Sequence, residues 1–182
     1  MSGVPTGLAA AMRAPRVREL LPLFTLPNTY GRSVRLWDFK QRRPVVVMVI
    51  HGAGCGACRQ TLAQLAARQE ELGETHAAVL VIAPDRVERL GVLRAEMELP
   101  FTMLSDPRGE VIARYAPGPW QAGGRGPVAL YVADCYGECG LASVANEADA
   151  LATSDDVLAE LALGDQGACS CLVPAWADPA EA

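Results

Sequence analysis

The sequence predicts an α/β domain: a mostly parallel central sheet with helices on both faces, closed by a β-hairpin and a last helix. Three observations carry this expectation. Strand-like and helix-like segments alternate along most of the chain, the pattern of a parallel sheet whose crossovers are helical. The run Val45-Val46-Val47-Met48-Val49-Ile50 is β-branched and apolar on both faces, as a central buried strand requires. The 182 residues are 51% hydrophobic and 20% charged, enough for one ordinary domain core with short extensions.

The elements follow in order. Residues 1–18 read as a leader, 19–164 as the domain and 165–182 as a tail. Phe24-Thr25-Leu26, the turn signal Pro27-Asn28 and Ser33-Val34-Arg35-Leu36 predict a hairpin of short edge strands. After the central strand, glycines at 52, 54 and 56 break the pattern, and from Cys58 the apolar positions Leu62, Leu65, Ala66 and Leu72 recur at helical spacing. The unit repeats as a strand over 78–83, a helix over 85–97 with Val87, Leu90 and Leu93 inward, and a strand over 101–104. Asp106-Pro107-Arg108-Gly109 predicts a turn into a short helix through Val111, Ile112 and Tyr115. Pro117 to Pro127 is a Gly- and Pro-rich loop around Trp120. Strands over 128–133 and 140–145 flank a turn at 135–138, and Ser154-Asp155-Asp156 caps a helix over 157–163 that Gly164 closes.

Composition excludes several function classes. The net charge of −5 and pI near 5.1 argue against a nucleic-acid binder, which needs a basic face. Apolar runs such as Val45 to Ile50, six residues long, fall far short of the roughly 20 that span a bilayer. The N-terminal segment carries Arg13, Arg16 and Arg18, but its apolar stretch, Leu8 to Met12, is too short and alanine-rich for the core of a secretory signal. A cytoplasmic location is therefore expected, with no membrane and no nucleic-acid partner. No Lys or Arg follows Arg125 whereas ten acids do, so the C-terminal third presents an acidic, solvated surface.

Six cysteines in a reducing compartment point to catalysis, redox sensing or metal binding rather than structural disulfides. They form three close pairs: Cys55/Cys58, Cys135/Cys139 and Cys169/Cys171. Cys55-Gly56-Ala57-Cys58 sits where a central strand passes into a helix. A thiol there faces unpaired backbone N–H groups and the positive end of the helix dipole, which favour thiolate. The second sulfur, one turn on, can attack a mixed disulfide and release product. A C-x-x-C is also half of a zinc site, but the other cysteines lie at least 77 positions downstream without finger spacing, so redox chemistry is favoured over zinc and over inert packing. No metal or other cofactor is expected at the pair.

The segment Leu23-Phe24-Thr25-Leu26-Pro27-Asn28-Thr29-Tyr30-Gly31-Arg32-Ser33-Val34-Arg35-Leu36-Trp37-Asp38-Phe39 resembles the start of the alkyl hydroperoxide reductase/thiol-specific antioxidant, or peroxiredoxin-like, branch of the thioredoxin superfamily. Leu99-Pro100-Phe101-Thr102-Met103-Leu104-Ser105-Asp106-Pro107-Arg108-Gly109-Glu110-Val111 and Asp134-Cys135-Tyr136-Gly137 are similar to later segments of that family. The resemblance runs over about residues 20–163 and implies a thioredoxin-like fold. Peroxidases of the family carry P-x-x-x-T-x-x-C, which places His51 at the proline, Cys55 at the threonine and Cys58 at the peroxidatic cysteine. The thioredoxin-type C-x-x-C-R is met by Cys55, Cys58 and Arg59 without substitution, and implies Cys55 as attacking and Cys58 as resolving thiol. It also implies a cis-proline opposite the dithiol, for which Pro127 is the candidate with Val128 as alternative, and makes Arg125 a candidate peroxidase-type arginine against a solvated loop residue.

The expected function is a thiol:disulfide oxidoreductase cycling Cys55 and Cys58, with a thiol-dependent peroxidase as the alternative and a metal-binding or redox-sensing module as the third reading. Either enzyme needs a thiol reductant, or a disulfide-bearing protein or small molecule, as partner. His51, at the C-terminal end of the central strand, is a candidate proton shuttle or a strand-end filler. Trp120 lines a groove or pins its loop, and His76 reads as loop surface. Cys169 and Cys171 can close only a small strained ring, a candidate auxiliary shuttle, metal ligand or bystander pair. Cys135 and Cys139 flank a short turn, where their sulfurs could meet.

Overall fold

The computed structural model describes residues 13–119 and 126–165. Its centre is a five-stranded sheet in the order β5-β4-β3-β6-β7, formed by β3 (Val45–Val49), β4 (Ala78–Ala83), β5 (Thr102–Ser105), β6 (Val128–Ala133) and β7 (Cys139–Ala145). Strands β3, β4 and β5 run parallel, while β6 is antiparallel to β3 and β7 to β6. The sheet is mixed, with its parallel half on the N-terminal side of the chain and its hairpin at the end, a thioredoxin-like arrangement. A separate two-stranded antiparallel sheet, β1 (Thr25–Pro27) with β2 (Ser33–Arg35), is closed by an Asx turn in which Asn28 Oδ1 accepts the N–H groups of Tyr30 and Arg32, each at 3.0 Å.

All five residues of β3 are buried, because the strand has neighbours on both edges and layers on both faces. Its side chains alternate between two cores. Val46 and Met48 join Leu62, Leu65, Leu90, Leu93, Val157 and Leu161, which come from α1 (Gly56–Ala66), α3 (Val87–Glu96) and α5 (Ser154–Asp165). Val45, Val47 and Val49 join Phe24, Leu26, Val34, Ile112 and Tyr115 on the other face, from the small hairpin, the residue before it and α4 (Ile112–Tyr115). Each fully buried aliphatic side chain is worth roughly 1.5–3 kcal/mol of transfer free energy. A charge at Val47, whose exposure is 0%, would have no compensating partner in that core.

Several expectations need correction. The helix after the glycines is two helices: α1 ends at Ala66, Arg68 leaves helical geometry at φ −104° and ψ 20°, and α2 (Gln69–Glu74) restarts so that Leu72 still points inward. The third helix begins at Val87, not residue 85, which leaves Asp85 in the turn after β4. Residue 139 belongs to β7. The last helix begins at Ser154, and Thr153 rather than Ser154 caps it: its Oγ1 accepts the Asp156 N–H at 3.2 Å while Asp156 Oδ2 accepts the Thr153 N–H at 2.8 Å. Gly164 lies within that helix and does not close it.

No peptide bond among the described residues is cis, so the expected cis-proline at Pro127 is not found; Pro127 is trans and precedes the first residue of β6, Val128. Its ring fills the space at Gly118, where a Cβ would stand 2.5 Å from Pro127 Cγ. Cys135 and Cys139 do not pair either. Cys139 is a free, buried thiol whose Sγ is 3.2 Å from the Leu141 carbonyl, and Cys135 is disulfide-bonded. The segment before β1 lies on the turn between β6 and β7, with the Arg18 N–H donating to the Cys139 carbonyl at 2.7 Å and the Leu21 N–H to the Gly137 carbonyl at 2.9 Å. No helix among the described residues is long and apolar enough to cross a membrane.

Candidate active site

The chain leaves β3 at its C-terminal end, where the strand order reverses: the next strands build one edge of the sheet, and β6 and β7 the other. Such switch points are where open α/β sheets place their reactive groups. His51 lies one residue beyond the end of β3, after Ile50, and is 8% exposed. Gly52 then turns the backbone at φ +138°, and a Cβ there would stand 2.6 Å from Asp85 Oδ2, so both conformation and space call for glycine. Ala53 donates its N–H to that same Asp85 oxygen at 2.6 Å. Cys55 is the N-cap residue of α1, and its carbonyl accepts the first helical bond from Arg59 at 3.0 Å.

Cys55 and Cys58 are both free thiols, the first half-buried and the second wholly buried. Their sulfurs and a ring nitrogen of His51 lie within 4.8 Å of one another. His51 Nδ1 is 3.5 Å from Cys55 Sγ, and the His51 backbone N–H donates to Cys58 Sγ at 3.4 Å. On the opposite side of the ring, Nε2 is 2.7 Å from the carbonyl of Gly126. A carbonyl only accepts, so Nε2 carries hydrogen, and Nδ1 faces Cys55, placed to take the thiol proton and, once it carries that proton, to donate to the thiolate.

Electrostatics separates the two thiols. Partial burial pushes Cys55 up, but the Cys58 backbone N–H, which faces the sulfur without completing a capping bond, acts the other way. The His51 ring and the Cys58 thiol add to it, and together they hold Cys55 below the ordinary thiol value. Burial pushes Cys58 up to about 12, reinforced by the neighbouring Cys55 and only partly offset by the His51 N–H. The accessible sulfur is thus the acidic one. It opens onto a cleft of about 690 Å³ lined by His51, Gly54, Cys55, Asp85, Arg89 and Glu147 among others.

Arg59 donates to the Ala53 carbonyl at 3.3 Å and pairs with Glu96 at 3.0 Å, bracing the loop from outside. His76 is an exposed turn residue at φ +55°, as expected. Trp120, Arg125, Cys169 and Cys171 lie outside the described residues. Two further groups, Asp85 and Gly126, complete the site beyond the residues the sequence singles out. Asp85 pins the loop at Ala53, pairs with Arg89 at 3.3 Å, and takes a hydrogen bond from Ser105 Oγ to its carbonyl at 2.7 Å. Its place just beyond a parallel strand's C-terminal end was the available signal. Gly126 contributes a backbone carbonyl, for which a residue type gives no signal.

Comparison with known proteins places this architecture. Residues 17–129 match the model of the AhpC/TSA family, a span that includes both cysteines of the pair. A putative peroxiredoxin of Mycobacterium tuberculosis is 35% identical over 97 residues, which are 52% of this chain and 59% of that protein. Peroxiredoxin Bcp of Escherichia coli K12 is 30% identical over 109 residues, 60% of this chain and 68% of that protein. A thiol peroxidase structure from Chromobacterium violaceum superposes with a TM-score of 0.70 at 22% identity, covering 85% of this chain and 90% of that one, a likeness of fold. With the family model matched over more than half its length, the chain belongs to the AhpC/TSA family, the peroxiredoxin-like branch of the thioredoxin superfamily.

Proposed function

We propose that this protein is a thiol-dependent peroxidase in which Cys55 attacks the hydroperoxide and Cys58 resolves the product. The observation that carries this reading is the Cys55–His51–Gly126 arrangement, which gives the half-exposed sulfur an oriented proton acceptor 3.5 Å away. The family's peroxidatic pattern falls on Cys58, but that sulfur is wholly buried and its thiol is pushed up to about 12, which favours Cys55 as the attacking group.

His51 Nδ1 takes the Cys55 proton, and the thiolate attacks one peroxide oxygen. The O–O bond breaks, leaving Cys55 as a sulfenic acid, and the departing alkoxide takes the proton from the His51 ring. Cys58 then attacks the Cys55 sulfur; an S–S bond forms, and the sulfenic oxygen leaves as water with the Cys58 proton. Removal of the Cys55 negative charge by oxidation lowers the barrier to ionising Cys58 at that moment. A thiol reductant returns the disulfide to the dithiol.

Thiol:disulfide exchange is the second reading, favoured by the unsubstituted C-x-x-C-R and by the replacement of the peroxidase proline and threonine with His51 and Cys55. It uses the same leading sulfur on a disulfide instead of a peroxide. Stopped-flow oxidation by hydrogen peroxide separates the two. Rapid oxidation in the wild type, a trapped sulfenic acid in Cys58→Ser and none in Cys55→Ser support the peroxidase; a wild-type rate no faster than free cysteine sinks it.

A further inference from the structure

The triad of donors at the head of α1 has a second use. We propose that the reduced protein binds one zinc ion through His51 Nδ1, Cys55 Sγ and Cys58 Sγ, with the fourth position open to the cleft. The inference is independent of the substrate on which the dithiol acts.

Geometry is the first support. Tetrahedral zinc with Zn–S near 2.3 Å and Zn–N near 2.0 Å sets a nitrogen-to-sulfur edge of about 3.5 Å and a sulfur-to-sulfur edge of about 3.8 Å. The His51 Nδ1 to Cys55 Sγ distance is 3.5 Å, and all three donor atoms lie within 4.8 Å of one another, so side-chain adjustments of under about 1 Å complete the triangle. Backbone rearrangement is not needed.

The second support is the ring's other nitrogen. A metal-bound histidine characteristically donates its remaining N–H to a carboxylate or backbone carbonyl, which fixes the tautomer and orients the lone pair. His51 Nε2 already does so to Gly126 at 2.7 Å, leaving Nδ1 directed at the sulfurs. The third is the donor set. Two thiolates and one imidazole suit a borderline-soft cation, and three protein ligands with one open corner is the pattern of reactive rather than structural zinc. A second cysteine pair is not required, because the fold brings a histidine from just beyond β3 to the two sulfurs.

Binding would displace the two thiol protons to solvent. Oxidation reverses it: a hydroperoxide accepts the electron pair released as the two thiolates join in an S–S bond. Its O–O bond breaks, two solvent protons complete alcohol and water, and zinc leaves as the aqueous ion. Zinc occupancy is thereby tied to the redox state of the pair.

The test is titration of the fully reduced full-length protein with cobalt(II), followed by competition with zinc. Expected are thiolate-to-cobalt charge-transfer and tetrahedral d–d bands saturating at one equivalent and abolished by zinc. They should be lost in Cys55→Ser and Cys58→Ser and unchanged in Cys139→Ser. His51→Gln should weaken zinc by at least about 100-fold. Should a variant fail to fold, wild type decides alone: protein carrying the Cys55–Cys58 disulfide, formed with a small-molecule disulfide and verified by mass spectrometry, should give no bands, and zinc X-ray absorption of the reduced protein should show two sulfur ligands beside nitrogen or oxygen. Absence of bands in the reduced wild type, bands that survive formation of the Cys55–Cys58 disulfide or loss of Cys58, or a shell of four sulfurs overturns the proposal. Zinc binding without peroxide reactivity would leave this site standing and remove the peroxidase reading, and the converse result would do the opposite.

Discussion

The imidazole of His51 is held by the Gly126 carbonyl at 2.7 Å, and this one bond decides that Nδ1, not Nε2, meets Cys55. The donor comes from the end of β3 and the acceptor from just before β6, so the orientation exists only when these antiparallel neighbours are in register. Their partners include Val49 with Ala129, close to the site.

His51→Ala removes the proton acceptor and one of the influences that lower the Cys55 pKa. Because thiolate forms above the pKa, a lowered value extends reactivity toward acid, and the substitution should move the inflection of iodoacetamide labelling upward. The peroxide rate near pH 7 should fall by about 100-fold. A labelling profile identical to wild type would remove His51 from the mechanism.

Asp85 acts through the loop rather than on sulfur. Asp85→Ala orphans the Ala53 N–H, at a cost of about 1–3 kcal/mol. Asp85→Asn keeps an acceptor oxygen and loses only the pair with Arg89, whose side chain is 65% exposed and whose contribution is about 0–1 kcal/mol. Urea denaturation should therefore show a clear loss for alanine and little for asparagine. The Cys55 labelling pKa should shift in the alanine variant alone; equal loss in both would mean that charge, not the hydrogen bond, holds the turn.

Gly52→Ala meets two obstacles, the φ of +138° and the 2.6 Å approach to Asp85. Backbone strain of this kind costs about 1–3 kcal/mol. Combining it with Asp85→Ala relieves the collision but not the dihedral, so a double-mutant cycle should show a total below the sum of the single losses. Strict additivity would contradict the contact.

Alkaline stability tests the buried thiols. Burial, first of all, raises Cys58 to about 12 and Cys139 to about 11, from an ordinary value of 9.0. Groups raised in the folded state contribute stability that is intact below pH 9 and is lost as pH climbs through the folded values, because the unfolded chain ionises first. The urea midpoint of the reduced protein should drop between pH 9 and 11. Cys139→Val should flatten that drop; an unchanged slope would mean that Cys139 does not stay protonated.

The parts of the fold legible in the sequence were those written in side-chain periodicity. Val45 to Ile50 announced the central strand through its unbroken apolar run, and the Cys55 to Cys58 spacing announced the dithiol because one helical turn separates its ends. Boundaries set by backbone bonding were not legible. Leu65, Ala66 and Leu72 keep a plausible helical rhythm across the break at Arg68, so periodicity alone joined α1 to α2. At the site, His51 could be named but not its role, since its meaning lies in a carbonyl 75 residues away. The proline expectation at Pro127 failed because a family pattern fixes a position in space, and the loop before β6 meets that position with a trans bond.

Strand β3 is clamped edge to edge by β4 and β6 and sandwiched between two cores. Its last residue cannot shift without disturbing neighbours on four sides, and the reactive loop is tethered to that closely held end. Substitutions deep in β3 that only loosen packing should accordingly blunt thiol reactivity at temperatures where the molecule still melts as one cooperative unit.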